Sequence, residues 1–205
     1  ANQDASHRAA IADAERGIAA TALRRRAVLE IGLVTLAGVD HRPAVPPEQA
    51  VREAEVVFLA TPFIANAQVV PPLAPALAGK VLVDCTNPVG PGLSHGLNSV
   101  QSGSQALQAM APKARVVKAF TIYGFENFEN SAYPGYGVKP AMFFCGNDAA
   151  AKATTADLIS QLGWEPLDVG GLEQALHLEH MTLLWVRMVR MNGHSPHLVW
   201  AALKR

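Results

Sequence analysis

The sequence predicts an α/β fold: a doubly wound, mostly parallel sheet followed by a C-terminal helical extension. Three observations lead there. Apolar runs of about five residues alternate with stretches of helical spacing, as strands and crossover helices do in a parallel sheet. Several runs break off into small polar residues and proline, as in KVLVDCTNPVGPG (80–92), so buried strands open into tight loops. Residues 172–192 read as one long, largely apolar helix. We therefore divide the chain into a sheet-bearing domain, 1–171, and an extension, 172–205.

The elements follow in order. Residues 5–30 are alanine-rich, with Ile11, Ile18 and Leu23 near helical spacing and Ser6 as a candidate cap, which predicts a helix. Ile31–Leu36 reads as a short strand ending at Gly38, and 45–54 as a short helix with prolines at its start, where a missing N–H matters least. EVVFLATP carries a strand from Val56 to Ala60. Residues 64–78 are a proline-interrupted helix, 80–85 a strand, VQSGSQALQAMAP a helix to Met110, and RVVKAF the next strand. A Gly/Tyr/Pro loop, SAYPGYGVKP, leads to the strand AMFFCG. DAAAKATTADLISQLG is a helix with an acidic start and a glycine stop, WEPLDVG a last strand, and 172–192 the final helix.

Bulk properties narrow the function. The chain has 205 residues, half of them apolar, and 17 basic against 17 acidic side chains. Zero net charge leaves no electrostatic footprint for nucleic acid or an anionic membrane. Arg24-Arg25-Arg26 is too short to change that and reads as a solvated helix face. No apolar run approaches the roughly 18 to 20 residues of a membrane span. No signal-peptide pattern opens the sequence, and Cys85 and Cys145 read as buried thiols in a reducing compartment, so the expectation is a cytoplasmic protein.

Catalytic motifs of the common kinds do not fit. GYGVKP (135–140), GPGLSHG (90–96) and Gly170-Gly171 each miss the G-x-G-x-x-G fingerprint in spacing or context and read as turns. His177 and His180, with Glu179 beside them, lack a third metal ligand at fitting spacing, so they read as structural. Ser195 stands in GHSPH, which is not a nucleophile elbow. What remains is the set of strand ends LATP, CTNP and KAFT. Small or amide side chains at three successive strand ends are what a dinucleotide needs along the carboxyl edge of a sheet. Direct hydride transfer between bound cofactors requires no protein acid, base or nucleophile.

AGKVLVDCTNPVG, ARVVKAF, MFFCGNDAAAK and LGWEPLDVGGLEQALHLEHMTLLW, in this order and spacing, resemble the coenzyme F420-dependent NADP oxidoreductases from about residue 45 to 205. The cytosolic domain of the six-transmembrane metalloreductases is similar too. The resemblance implies a Rossmann-like fold, NADP at the sheet edge, and F420 or a flavin as hydride partner. Carried over by motif, Ala60, Thr61 and Pro62 would border the pyrophosphate and nicotinamide ribose. Asn87 and Pro88 would lie on the nicotinamide side, and Ala119, Phe120 and Thr121 would shape the hydride-transfer pocket, with Asn87, Phe120 and Thr121 facing the reaction. The final helix would wall off the second substrate and pack against a second subunit in a homodimer. Its run from Leu176 to Met191, apolar nearly all round, is either buried or an interface, and Arg187 and Arg190 within it fit a dimer contact better than a membrane.

Aligning the opening ANQD with a second-strand end of the family sets Asn2 and Gln3 among the cofactor-binding residues. It implies that a first strand and Gly-rich loop, roughly 30 to 40 residues of a βαβ unit, are missing. Alternatively, residues 5–36 replace that unit. Asp4 stands where the family has an arginine for the 2′-phosphate, with Arg8 nearby. A carboxylate there favours NAD, the family NADP. The competing functional expectation is a non-catalytic, truncated relative that serves as a dimeric binding or structural module.

Overall fold

The computed structural model describes residues 28–30, 45–128 and 130–205. Asn2, Gln3, Asp4, Arg8, the Ser6-capped stretch up to residue 27 and the Ile31–Leu36 strand lie outside them. Among the described residues six strands form one sheet in sequence order: β1 Val28–Glu30, β2 Val56–Leu59, β3 Val81–Asp84, β4 Arg115–Lys118, β5 Ala141–Gly146 and β6 Glu165–Asp168. The helices are α1 Pro47–Glu53, α2 Asn66–Leu77, α3 Gly103–Met110, α4 Ala149–Gln161 and α5 Ala175–Arg190.

Strand β1 corrects one expectation. Its three residues close the stretch read as helix from alanine content, yet they pair in parallel with β2, Val28 opposite Val56 and Glu30 opposite Phe58. Without them the outer edge of β2 would carry unpaired backbone groups, and that tertiary pairing overrides a local helical preference. Strands β1 to β4 are parallel, β5 runs antiparallel to β4, and β6 is parallel to β5. The reversal follows from the connection. Among the described residues between β4 and β5 the regular structure is a single 3-10 turn, Phe125–Asn127, and a parallel return needs a crossover of a dozen or more residues, usually a helix.

Alternation along the strands divides the core into two layers. Val56, Phe58, Val81, Val83 and Val117 face one cluster with Leu158 and Ile159 of α4 and Leu178, Trp185 and Val189 of α5. Val57, Leu59, Leu82 and Val116 face the other, with Val51 of α1, Val70, Leu73 and Leu77 of α2, and Leu107 of α3. Helices on both faces make the sheet doubly wound, and near-continuous apolar strands follow from burial on both sides. Helix α2 survives Pro71, Pro72 and Pro75 because they lie on its exposed face, where freed carbonyls meet water, while its apolar face is packed.

The final helix opens as a 3-10 turn, Leu172–Gln174, before α5 proper. Most of its apolar residues point into its own sheet rather than outward. Leu184, about half exposed, and Met191 remain on the surface. No helix among the described residues is long and apolar enough to cross a membrane.

Candidate functional site

The carboxyl ends of β2, β3 and β4 lie side by side, with Leu59 opposite Asp84 and Asp84 opposite Lys118. The backbone keeps the three exits together beyond the strands: Cys85 donates to the Leu59 carbonyl at 3.0 Å, and Ala119 to the Asp84 carbonyl at 3.2 Å. Thus Ala60-Thr61-Pro62, Asn87-Pro88 and Ala119-Phe120-Thr121 all leave from one edge.

Side chains then join the three exits. Thr61 Oγ1 donates to Asn66 Oδ1 (2.7 Å), and Asn66 Nδ2 donates to Thr86 Oγ1 (3.2 Å). Thr86 in turn donates from its N–H (2.9 Å) and hydroxyl (2.7 Å) to Asp84 Oδ1. The other carboxylate oxygen of Asp84 accepts from Ser104 Oγ at 2.5 Å and from Lys118 Nζ at 3.2 Å. Lys118 also donates to the Thr86 carbonyl and pairs with Glu179 Oε1 at 3.2 Å. Its three N–H bonds therefore meet three oxygens.

Glu179, on α5, is the second centre of this network. It accepts from the Gly103 N–H at the start of α3, at 2.9 and 3.1 Å, where helix geometry favours an anion. Its Oε2 lies 2.8 Å from His95 Nε2. His95 Nδ1 accepts from the N–H groups of Leu97 and Ser99, both at 3.2 Å. An acceptor Nδ1 leaves the ring proton on Nε2, so His95 donates to Glu179. Asp84, Lys118, Glu179 and His95 are all buried. Burial alone would pull the Lys118 ammonium down, but Asp84 and Glu179 outweigh it and hold the titration above the ordinary lysine range.

The residues expected from sequence divide into two groups. Ala60 and Pro62 are exposed and Asn87 is half-buried, while Thr61, Pro88, Ala119, Phe120 and Thr121 are buried. Phe120 turns its ring into the core, 5.6 Å from that of Phe58 and 6.1 Å from that of Phe128, with φ at 57°. A left-handed phenylalanine is backbone strain of the kind that gathers at functional sites. Asn87 and Thr121 meet directly: Asn87 Nδ2 donates to the Thr121 carbonyl at 3.4 Å. Thr182 of α5 places its hydroxyl 2.7 Å from that carbonyl and 3.2 Å from Asn87 Oδ1. Thr121 Oγ1 is buried and finds no partner among the described residues.

Sequence reasoning missed Asn66, Asp84, His95, Lys118 and Thr182, and met Glu179 only as a metal partner. A signal existed for two of them. VLVD and RVVK end buried strands on charged residues, which stay buried only when paired. His177 and His180 are exposed while Glu179 is buried, and the His180 ring stacks on that of His95 at 5.4 Å instead of meeting Glu179.

Against known proteins, the family model described as NADP oxidoreductase coenzyme F420-dependent matches residues 12–88. That match begins well ahead of residue 45, where the motifs first become recognisable. Metalloreductase STEAP3 of Rattus norvegicus is 34% identical over 136 residues, 66% of this chain and 26% of that protein. The F420-dependent NADP reductase of Methanocaldococcus jannaschii is 26% identical over 145 residues, 68% of this chain and 64% of that one. The chain thus spans less than two thirds of either curated relative. The crystal structure of a putative F420 dependent NADP-reductase from Arthrobacter sp. FB24 superposes with a TM-score of 0.63. It is 29% identical and covers 71% of this chain and 68% of its own.

Proposed function

We propose, from the kinship of this chain with the coenzyme F420-dependent NADP oxidoreductases, that it is an oxidoreductase moving a hydride between NADP(H) and a deazaflavin (F420) or flavin-like acceptor. The observation that carries this reading is the carboxyl edge. Three strand exits of the types a dinucleotide requires are locked into one hydrogen-bonded unit, and two polar groups there have capacity left over. The Thr121 hydroxyl is buried with no partner among the described residues, and Asn87 uses its amide nitrogen in one long bond at 3.4 Å and its Oδ1 in one contact with Thr182 at 3.2 Å. Such groups fit the polar face of a nicotinamide riboside, which would complete their hydrogen bonds.

In this reading Ala60, Thr61 and Pro62 pass close to the phosphates, with Ala60 and Pro62 exposed to them. Asn87, Pro88 and Thr121 border the nicotinamide, and Ala119 and Phe120 hold the wall behind it. When bound, the dinucleotide supplies the hydride chemistry. The chain orients it and excludes water, and no side chain need act as acid or base. Homodimerisation through α5 belongs to the same proposal, with Leu184 and Met191 as its exposed apolar residues.

Titration with NADPH and NADH, read by tryptophan fluorescence, tests the reading first. Turnover with F420 or FMN tests it second. Saturable binding of either dinucleotide with turnover is expected, and tighter binding of NADPH would assign the 2′-phosphate. Folded protein that binds neither would overturn it in favour of a non-catalytic relative. That alternative draws on the lack of a G-x-G-x-x-G match in these 205 residues.

A further inference from the structure

The loop leaving β3 is built in an unusual way. Residues 88–90 fold back on 94–96. Gly96 donates to the Pro88 carbonyl at 2.6 Å, Gly90 to the Ser94 carbonyl at 2.8 Å, and Val89 bridges His95. Leu93, Asn98 and Ser99 take positive φ of 57°, 53° and 57°, a conformation that costs energy for any residue with a side chain. A loop so strained keeps its shape only if its surroundings impose it. Helix α5 does so at two places. Arg187 Nη2 donates to the carbonyls of Gly92 and Leu93, both at 3.1 Å, at the tip of the loop. His95 reaches Glu179 at its base, through a ring whose other nitrogen gathers the Leu97 and Ser99 amides. Between them on α5, Thr182 touches Asn87, the residue from which the loop departs.

We propose that His95 is a positioning residue: its bridge to Glu179 fastens the loop after β3 to α5 and so holds Asn87 in register for the nicotinamide end of the dinucleotide. The inference rests on the functional reading above. His95 is buried and touches no ligand in this role. It acts through the loop backbone and through Glu179, which Lys118 and Gly103 fix in turn.

Two substitutions separate the two ends of the ring. In His95→Asn, the short amide oxygen still accepts the Leu97 and Ser99 N–H groups, as in an Asx turn, but the bridge to Glu179 is gone. In His95→Gln, the longer amide nitrogen still reaches Glu179. Backbone hydrogen exchange over 88–99 and steady-state kinetics with NADPH and F420 or FMN are measured on both variants of the full chain. We expect the Gly90 and Gly96 amides of His95→Asn to exchange on the order of tenfold faster, and its kcat/KM for NADPH to fall by a similar factor. His95→Gln recovers most of both.

Wild-type exchange and turnover in His95→Asn would overturn the proposal. Equal losses in the two variants would overturn it as well, because the bulk of the ring, not its bridge, would then matter. A wild-type protein that binds neither dinucleotide overturns the functional reading and the positioning role with it. The exchange contrast between the variants then measures the clasp separately.

Discussion

Lys118 directs three N–H donors at Asp84, Glu179 and the Thr86 carbonyl, with no exposed surface. Removing one member of a buried ionic cluster leaves uncompensated charge, at about 3–5 kcal/mol. Lys118→Met should therefore lose stability on that scale in urea denaturation, and a loss below about 1 kcal/mol would show that the carboxylates had found other partners. The pH dependence follows from the sign of the shift. The folded titration of Lys118 lies above its unfolded value, so its contribution is fully present below about pH 10.4 and fades only as pH rises through the folded value. The stability difference between wild type and Lys118→Met should thus be the same at pH 7 and pH 9. Cys145 offers a second check at this scale. Burial pushes its thiol up to about 12, so iodoacetamide near pH 8 should modify half-buried Cys85 well before Cys145.

Helix α3 shows how an element serves the site. Ser102 and Gln105 form a capping box: Gln105 N–H donates to Ser102 Oγ at 3.0 Å, and Ser102 N–H to Gln105 Oε1 at 2.9 Å. The same helix end gives its Gly103 N–H to Glu179. Ser102→Ala removes the cap, and thermal unfolding should register a loss of about 1 kcal/mol. Gly103→Ala acts differently. A Cβ there would come within 2.8 Å of the Phe63 ring and 3.2 Å of Glu179 Oε1, so the Phe63 ring, or α3 with it, must shift. Its loss should be about 1–3 kcal/mol, the usual range for overpacking. Helix α5 matters more than its length suggests, because Glu179, Thr182 and Arg187 together touch the exits of β3 and β4.

For the whole molecule, the proposed site makes stability depend on ligand. A dinucleotide that binds only the folded chain adds about 2.7 kcal/mol at a hundred times its Kd. NADPH should therefore raise the melting temperature in a concentration-dependent way. A melting temperature unmoved by millimolar NADPH would argue against the site. The molecule also explains the balance of its final helix. By sequence its apolar run is either buried or an interface, and Leu178, Trp185 and Val189 complete this chain's own core.

Periodicity and turn chemistry settled much from sequence. The short apolar runs ending in LATP, CTNP and KAFT specified buried strands, and the acidic start at Asp148 and the glycine after α4 marked helix ends where they occur. These signals are local, so a sequence carries them openly. Strand β1 emerged only through pairing with β2, against the helical tendency of its neighbours. The cluster of Asp84, Lys118, Glu179 and His95 is likewise a tertiary fact. His95 and Glu179 lie 84 residues apart in the chain, and Lys118 lies 34 beyond Asp84. Composition shows that such charges exist, but only the packing of α5 across the sheet edge decides which of them meet. A buried charge is stable only with its partners in place, and that condition is set by geometry in three dimensions.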